Sequence, residues 1–248
     1  MEKDLYKQHY EAEKRGWWAV GRRNMIINFI HSLKGVPQTP DILDFGCGTG
    51  GMLDDLKKFA SVYGCDTEDI AIELCKQRGL ENITKLDGKT IPYENERFDV
   101  ITAMDVLEHV EDDVFVMNEL NRILKKGGYL MITVPAFMTL WTTRDERLHH
   151  FRRYKKKELV TRLKSADFEV VKCSYMHFFY FLPLLFVYKL KYFIKRKENV
   201  SDVKTDFSVV PKPINSTLIA ALNTETFFLK FINFPFGVSL FCIARKKK

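Results

Sequence analysis

Residues 43–51, LDFGCGTGG, decide the fold of this chain of 248 residues. They join an apolar run at residues 41–45, typical of a buried strand, to a helical pattern at residues 52–59. Glycines at such a junction permit a tight turn and let a ligand approach the backbone, and the helix N-terminus offers free N–H donors. The stretch therefore predicts a strand, a ligand-binding turn and a helix.

The same alternation of strands and helices continues along the chain. Strand-like runs lie at residues 61–65, 83–86, 98–103, 129–134, 168–173 and 238–244, and helical patterns at residues 4–34, 70–78, 114–124 and 156–165. Strands that alternate with helices at this spacing imply βαβ units and a parallel sheet covered on both faces. The first 135 residues are therefore predicted to form a doubly wound α/β domain.

Charge is distributed unevenly between two parts of the chain. The first 146 residues carry 18 basic and 25 acidic side chains, whereas the rest carry 21 and 7. Opposed charges of this kind suggest that one part handles a small ligand and the other meets an anionic partner, either lipid headgroups or nucleic acid. The length and a hydrophobic content of 46% exclude a peptide or a disordered tail.

The sequence predicts a cytoplasmic protein. Its five cysteines are isolated, with no pair or Cys/His cluster at zinc spacing, which favours reduced, buried thiols. The charged N-terminus has no apolar run behind it, so no signal peptide is visible. The longest uncharged apolar stretch, residues 173–188, falls short of the roughly 20 residues that a spanning helix needs.

Acidic residues accompany three successive predicted strands. Asp44 precedes the first glycine of the turn, Asp66 follows the second strand, and Asp87 follows the third. A carboxylate after the second strand can accept both hydroxyls of a ribose, and one after the third can accept from an adenine amino group. Asp44 suits an ammonium or a sulfonium better than a pyrophosphate. These acids predict a site for a cationic nucleoside, the alternative being that they cap helices or lie in turns.

The glycines also fit a second kind of nucleotide. Gly46, Gly48 and Gly51 satisfy the G-x-G-x-x-G pattern of dinucleotide-binding enzymes. An NAD-dependent oxidoreductase is therefore an alternative of a different class.

Several segments resemble one known family, the class I S-adenosylmethionine-dependent methyltransferases. Residues 43–50 resemble its first motif. Residues 86–88 (LDG), 91–93 (IPY), 98–101 (FDVI) and 105–110 (DVLEHV) resemble the core pattern of its ubiquinone-biosynthesis-type members, and residues 125–130 (KKGGYL) the turn before its fifth strand. The resemblance covers roughly residues 40–135. It implies a Rossmann-like, seven-stranded, mostly parallel sheet whose last strand, at residues 238–244, is antiparallel.

The resemblance implies S-adenosylmethionine as the cofactor and assigns its contacts residue by residue. The cofactor-binding set is Arg22, Asp44, Gly46, Gly48, Asp66, Asp87, Gly88 and Asp105. Gly46 and Gly48 would contact the methionine part and Asp66 the ribose, while Asp87 and Gly88 would hold the adenine. Asp105 would line the pocket at the end of the fourth strand. Arg22 would meet the cofactor carboxylate, the alternative being a solvated helix charge.

Methyl transfer from a sulfonium is an in-line displacement, so the protein positions the nucleophile and removes its proton. His109 follows the fourth predicted strand and is one candidate base. Asp105, Glu108 and His109 also resemble a divalent-metal ligand set in some ubiquinone-pathway relatives. Asp105 and Glu108 have the spacing of a helix capping box as well, and we assign no metal.

A second group of candidates follows the fifth predicted strand. The pattern Trp141, Asp145, His150, Arg153 and Tyr154 resembles a subset of these methyltransferases whose substrates are linked to cell-envelope glycans or lipids. It implies His150 as a second candidate base and Trp141, Arg153 and Tyr154 as substrate-binding residues, the alternative being a basic loop that enters a helix. No Asn/Asp-Pro-Pro-Tyr motif follows the fourth strand, which disfavours base amines as acceptors and leaves oxygen or carbon.

Residues 175–236 are predicted to form an aromatic and basic helical insertion before the last strand. Aromatic residues run together at 178–181, and basic residues follow at 189–197. Such a composition suits a segment that lies in the headgroup region of a membrane. A cover for the sheet and a contact between two copies of the chain, a homodimer, are alternatives. Nucleic acid is disfavoured because no polar residues separate the aromatics.

The predicted organisation is a lid helix at residues 1–36, a methyltransferase core at 37–174, the insertion at 175–236, and a final strand with a basic tail at 237–248. The predicted function is methyl transfer to oxygen or carbon of a lipid-linked or amphipathic acceptor at the inner face of a membrane. A soluble small-molecule methyltransferase and a non-catalytic binding module are alternatives.

Overall fold

The central feature of the fold is one sheet of seven strands. The computed structural model describes residues 3–88, 90–181, 185 and 210–247. The strands are β1 (Asp41–Phe45), β2 (Ser61–Asp66), β3 (Ile83–Lys85), β4 (Phe98–Met104), β5 (Leu124–Pro135), β6 (Phe168–Met176) and β7 (Ser239–Lys246). Their order in the sheet is β3-β2-β1-β4-β5-β7-β6. Strand β7 runs antiparallel to β5 and β6, and the pairings among β1 to β5 are parallel. The predicted fold is confirmed.

Helices cover this sheet, as the alternating pattern predicts. They are α1 (Lys3–Arg15), α2 (Trp17–Ile30), α3 (Gly51–Leu56), α4 (Asp69–Gln77), α5 (Asp113–Ile123), α6 (Thr143–Arg147), α7 (Lys156–Ser165) and α8 (Lys212–Leu229). Ile42, Ile101 and Leu130, on three neighbouring strands, are fully buried. Parallel strands with helices on both faces need such continuous apolar runs.

The N-terminal region differs from its prediction. Residues 4–34 were predicted as one helix, but the structure has two, α1 and α2, with Gly16 between them in an extended conformation. A Cβ at Gly16 would lie 2.6 Å from the carbonyl oxygen of Ala12. Only glycine therefore allows the second helix to start so close behind the first, and the lid is a pair of helices.

Helix α8 packs on this lid. The position of Gly21, where a side chain would strike Leu222, lets the two helices approach closely. The Asn215 side chain accepts from the backbone N–H of Trp17 at 2.9 Å and donates to the carbonyl of Arg15 at 2.9 Å. The described part of the insertion thus covers the N-terminal helices. Residues 182–184 and 186–209, the rest of the aromatic and basic segment, lie outside the described residues.

The strand order reverses between β1 and β4, which are neighbours although two strands separate them in sequence. In open α/β sheets a ligand crevice forms at such a point, beyond the carboxyl ends of the strands. In the part of the chain that the structure describes, no helix is both long and apolar enough to cross a membrane. All five cysteines are free and buried. The predicted boundaries at residues 36, 174 and 236 remain predictions.

Candidate functional site

The glycine turn after β1 has the backbone shape that its sequence predicts. Gly46 and Gly48 have left-handed φ angles of 72° and 54°. A Cβ at Gly46 would lie 2.5 Å from the Val106 side chain, whereas one at Gly48 would meet nothing within 4 Å. Glycine is therefore needed at the first position for packing, and at the second it leaves open space for a ligand beside the backbone.

Two buried carboxylates flank this turn. The Thr102 hydroxyl donates to Asp44 at 2.6 Å, and the backbone N–H groups of Gly48 and Glu68 donate to Asp66 at 2.9 and 3.1 Å. Burial raises the pKa of Asp44 to about 7 and also raises the pKa of Asp66. A cationic ligand beside them would favour their charged forms, so the turn and its acids fit a sulfonium nucleoside.

Asp87 and Gly88 lie beyond the end of β3, on the same edge of the sheet. Asp87 is exposed, and the backbone N–H of Thr90 lies 3.4 Å from its carboxylate. Gly88 has a φ of 79°, and a Cβ there would meet nothing within 4 Å. The structure thus brings these residues to the expected edge, and their contact with an adenine remains a prediction.

Helix α1 contacts the glycine turn through a residue that no pattern in the sequence indicates. The buried Glu13 carboxylate accepts from the Thr49 hydroxyl in the glycine turn and from the Arg78 guanidinium, the latter at 3.0 Å. Tyr6 of the same helix is buried, and burial followed by the charge of Asp66 raises its pKa. No sequence motif marks Glu13, because its partners lie 36 and 65 residues away.

Asp105 is the centre of the second half of the site, beyond β4. It forms an ion pair with Arg22 of α2, and the Thr133 hydroxyl donates to it at 2.9 Å. Burial would raise the pKa of Asp105, but Arg22 and then Thr133 outweigh it and hold the pKa low. Arg22 is thus bonded to Asp105, and its contact with the cofactor carboxylate remains a prediction.

The two candidate bases lie together. The rings of His109 and His150 meet edge to face with centroids 4.6 Å apart, and His150 Nδ1 lies 2.9 Å from Asp145 Oδ1. Asp145 also accepts two hydrogen bonds from Arg153, at 2.7 and 2.8 Å. Burial followed by His150 lowers the pKa of His109 to about 4. Burial alone would raise the pKa of Asp145, but its bonds to His150 and Arg153 hold that pKa well below its usual range.

The same cluster contains a group of side chains that could hold a divalent cation. Glu108, His109 and His150 each place a ligand-type atom within 4.8 Å of the others, and Asp105 is not part of that group. Asp105 does not cap the short helix Leu107–His109 either, whose preceding residue is Val106. The capping-box alternative for Asp105 and Glu108 is therefore wrong.

The predicted substrate-binding residues have these positions. Tyr154 is fully buried, and its hydroxyl bonds to the Leu107 carbonyl at 3.1 Å and to Asp113 at 2.7 Å. Arg153 is bonded to Asp145, and Trp141 is half-buried just before α6. Contact of these three side chains with an acceptor remains a prediction, which for Arg153 and Tyr154 requires their present bonds to open.

Unpartnered polar atoms cluster around Asp105. Among the described residues, the buried side-chain N and O atoms without a hydrogen-bond partner are Arg22 Nε, Glu108 Oε2 and both ring nitrogens of His177. All three residues interact electrostatically with Asp105. Buried polar atoms are nearly always paired in native proteins, so a cluster of unpaired ones indicates a site that a ligand completes. The sequence analysis missed His177, which no motif contains.

Comparisons with known proteins identify the family of the chain. Residues 43–132 match a family model described as a methyltransferase domain. The ubiquinone biosynthesis O-methyltransferase of Haemophilus ducreyi is 31% identical over 173 residues, which are 58% of this chain and 70% of that enzyme. The enzyme of the same name from Nitrosomonas europaea is 34% identical over 115 residues, 43% of this chain. The chain spans 48% of the length of that relative.

A solved structure gives the same fold over most of the chain. Phosphoethanolamine N-methyltransferase 2 of Haemonchus contortus, in complex with S-adenosyl-L-methionine, matches with a TM-score of 0.57 and 16% identity. The match covers 91% of this chain and 53% of that one. At this identity the likeness concerns the fold alone.

Proposed function

Because the chain belongs to the class I S-adenosylmethionine-dependent methyltransferases, we propose that it transfers a methyl group to an oxygen atom of a lipid-linked or otherwise amphipathic acceptor. The observation that carries the proposal is the convergence of the glycine turn, Asp44 and Asp66 on one edge, next to the unpartnered polar atoms around Asp105. The dinucleotide alternative lacks support, since the matched relatives are methyltransferases.

The cofactor roles follow from the chemistry of each group. Asp66 would accept from ribose hydroxyls while it holds the Gly48 backbone, and Asp44 would lie near the cationic end of the cofactor. Asp87 would accept from the adenine. When bound, S-adenosylmethionine supplies an electrophilic methyl group on its sulfonium. Transfer to the acceptor would form an O–CH3 bond, break the S–CH3 bond, and release S-adenosylhomocysteine and the hydroxyl proton.

His150 is the better placed of the two candidate bases. Asp145 lies 2.9 Å from its Nδ1 and fixes the ring, so the other nitrogen is available to the acceptor. His109 is held neutral by burial and by the adjacent His150. We assign proton removal to His150 and contact with the acceptor to His109.

An exposed aromatic surface supports an amphipathic acceptor. The end of α8 and the residues after it expose Phe227, Phe228, Phe231 and Ile232 by 59, 45, 73 and 50% of their areas, and we call these four residues the aromatic surface. Lys172 and Lys230 lie beside it. Apolar side chains flanked by lysines suit an anionic lipid surface. We propose that the protein binds the cytoplasmic face of a membrane there.

Calorimetric titration of the purified chain tests the cofactor part. We expect S-adenosylhomocysteine to bind and NADH not to bind. Tight NADH binding without S-adenosylhomocysteine binding would overturn the proposal. If S-adenosylhomocysteine binds but methyl-labelled S-adenosylmethionine transfers no label to any lipid or metabolite fraction, the result would favour a non-catalytic binding module.

Flotation with liposomes tests the acceptor part. We expect the wild type to float with anionic vesicles, and Phe231→Asp to float far less, because a charge replaces the most exposed ring of the aromatic surface. Ile214→Asp is the matched control, an exposed apolar residue in the first turn of the same helix. Failure of the wild type to float at low salt would move the search to soluble acceptors.

A further inference from the structure

His177 lies where the sheet ends and the insertion begins. It follows β6 directly, and residues 178–181 after it are helical. Its side chain is 1% exposed, and its ring stacks on Trp18 of α2 with centroids 3.9 Å apart. The charged groups that face it are Asp105 from the end of β4 and Arg22 from α2. His177 therefore joins the lid, the methyltransferase core and the insertion at one point.

Both ring nitrogens of His177 lack a hydrogen-bond partner. A neutral imidazole has one donor and one acceptor, and burying both without partners is unfavourable. A histidine with a purely structural role would bond at least one of them, as His150 does with Asp145. A ligand with a hydroxyl or amide group would supply the missing hydrogen-bond partner.

The backbone of His177 is held in an uncommon conformation. Its φ is 61°, in the left-handed region that is uncommon for residues other than glycine. The buried Glu225 carboxylate of α8 accepts from the backbone N–H of His177 and lies 3.5 Å from that of Phe179. A buried carboxylate from the insertion thus fixes this geometry, and strain of this kind clusters at ligand sites.

We propose that His177 is an acceptor-binding residue, whose ring N–H donates a hydrogen bond to the oxygen of the hydroxyl group to be methylated and orients it. This inference rests on the proposed function and adds to it a contact supplied by the insertion. Burial, which outweighs Asp105, lowers the pKa of His177 to about 3, so the ring is neutral at ordinary pH and carries one N–H donor. His150 then takes the proton.

The test uses the purified full chain, methyl-labelled S-adenosylmethionine and vesicles made from the total lipid extract of the source cells. His177→Phe keeps a flat ring against Trp18 and removes both nitrogens. We expect the rate of label transfer to fall at least tenfold, because the variant needs a higher vesicle concentration to reach half of its maximal rate. The Kd for S-adenosylhomocysteine and the Tm should change little, because no internal hydrogen bond of the side chain is lost. His31→Phe, at an exposed histidine beside Phe59, is the control.

The outcomes separate the two proposals. Equal transfer by the wild type and His177→Phe overturns the role of His177 alone. No transfer by the wild type overturns the lipid-linked acceptor and, with it, this inference. If His177→Phe does not bind S-adenosylhomocysteine, the same measurements are made on His177→Asn, because Asn tolerates the left-handed backbone. Retained cofactor binding with reduced transfer then supports the proposal, and lost cofactor binding in both variants overturns it.

Discussion

The two halves of the carboxyl edge of the sheet obtain their left-handed turns in different ways. In the half that we propose binds the cofactor, after β1 and β3 and here called the cofactor half, the residues with positive φ are glycines: Gly46, Gly48, Gly50 and Gly88. In the half that we propose binds the acceptor, after β4 to β6 and here called the acceptor half, they carry side chains: Asp105, Phe137, His149 and His177. Glycine adopts this conformation freely, whereas other residues adopt it at a cost of about 1–3 kcal/mol. The acceptor half therefore stores strain that the cofactor half avoids.

The halves also differ in how their polar groups are bonded. Asp44 and Asp66 accept from a hydroxyl and from backbone N–H groups of the turn itself. Arg22, Glu108 and His177 leave buried polar atoms unpartnered. The comparison teaches that the acids beside the glycine turn are already bonded within the protein, whereas the polar groups around Asp105 need a ligand to satisfy them.

The largest effect that would sharpen this comparison concerns His150. His150→Gln removes the proposed base, and general base catalysis contributes at least about 100-fold, so we expect kcat to fall about 100-fold. The Kd for S-adenosylhomocysteine should be unchanged, because the cofactor half is separate. Calorimetry and label transfer measure the two quantities.

His149→Asn is the control for this variant, since His149 is the exposed neighbouring histidine and Asn tolerates its left-handed backbone. Normal turnover by His150→Gln would remove His150 from the chemistry. A parallel loss of cofactor affinity would show that the halves are not independent.

A smaller effect is expected in the cofactor half. Asp66→Ala removes the proposed ribose contact and the acceptor for the Gly48 N–H, so the affinity for S-adenosylhomocysteine should fall at least tenfold, about 1.4 kcal/mol. Calorimetry compares it with Asp69→Ala, which removes an exposed acid three residues on. Equal affinity of Asp66→Ala and wild type would exclude Asp66 from the ribose role.

The acceptor half should also make stability depend on pH. The pKa of His177 is about 3 in the folded protein against an ordinary 6.5, so the unfolded chain binds the proton more readily. Its contribution to stability is present above pH 6.5 and is lost as pH falls towards 3, by up to about 1.4 kcal/mol per pH unit.

Denaturant unfolding of wild type and His177→Phe at pH 7 and 4.5 isolates that contribution, because other groups titrate alike in both proteins. We expect the wild type to lose about 2 kcal/mol more than the variant over this range. Equal losses would mean that His177 is not buried as a neutral ring, and the contrast between the halves would weaken.

The cofactor half was predictable from the sequence because its parts are local. Residues 43–51 contain both the strand end and the turn, and Asp66 and Asp87 follow the next two strands in order. The periodic apolar runs likewise predicted the strands, and the resemblance predicted the antiparallel β7. The break at Gly16 was missed because a helical pattern continues through it, and only the approach to Ala12 requires the glycine.

The acceptor half was predictable only in part. His109, His150 and Asp145 lie in recognisable patterns, but nothing in those patterns placed the two rings 4.6 Å apart. His177 carries no motif at all, and in the cofactor half neither does Glu13. Arg153 and Tyr154 were assigned to the acceptor, and the structure gives their polar atoms partners within the protein.

The sequence by itself thus determined the sheet, the family and the glycine turn with its acids, since apolar periodicity and glycine turns act between neighbours in the chain. The tertiary structure alone decided how Trp18, Asp105, His150 and His177 come together. These residues come from a lid helix and from the ends of separate strands and loops, and Glu225 fixes His177 from 48 residues away. Burial, strain and unpartnered atoms depend on that packing, because they are properties of a residue's surroundings and not of its type.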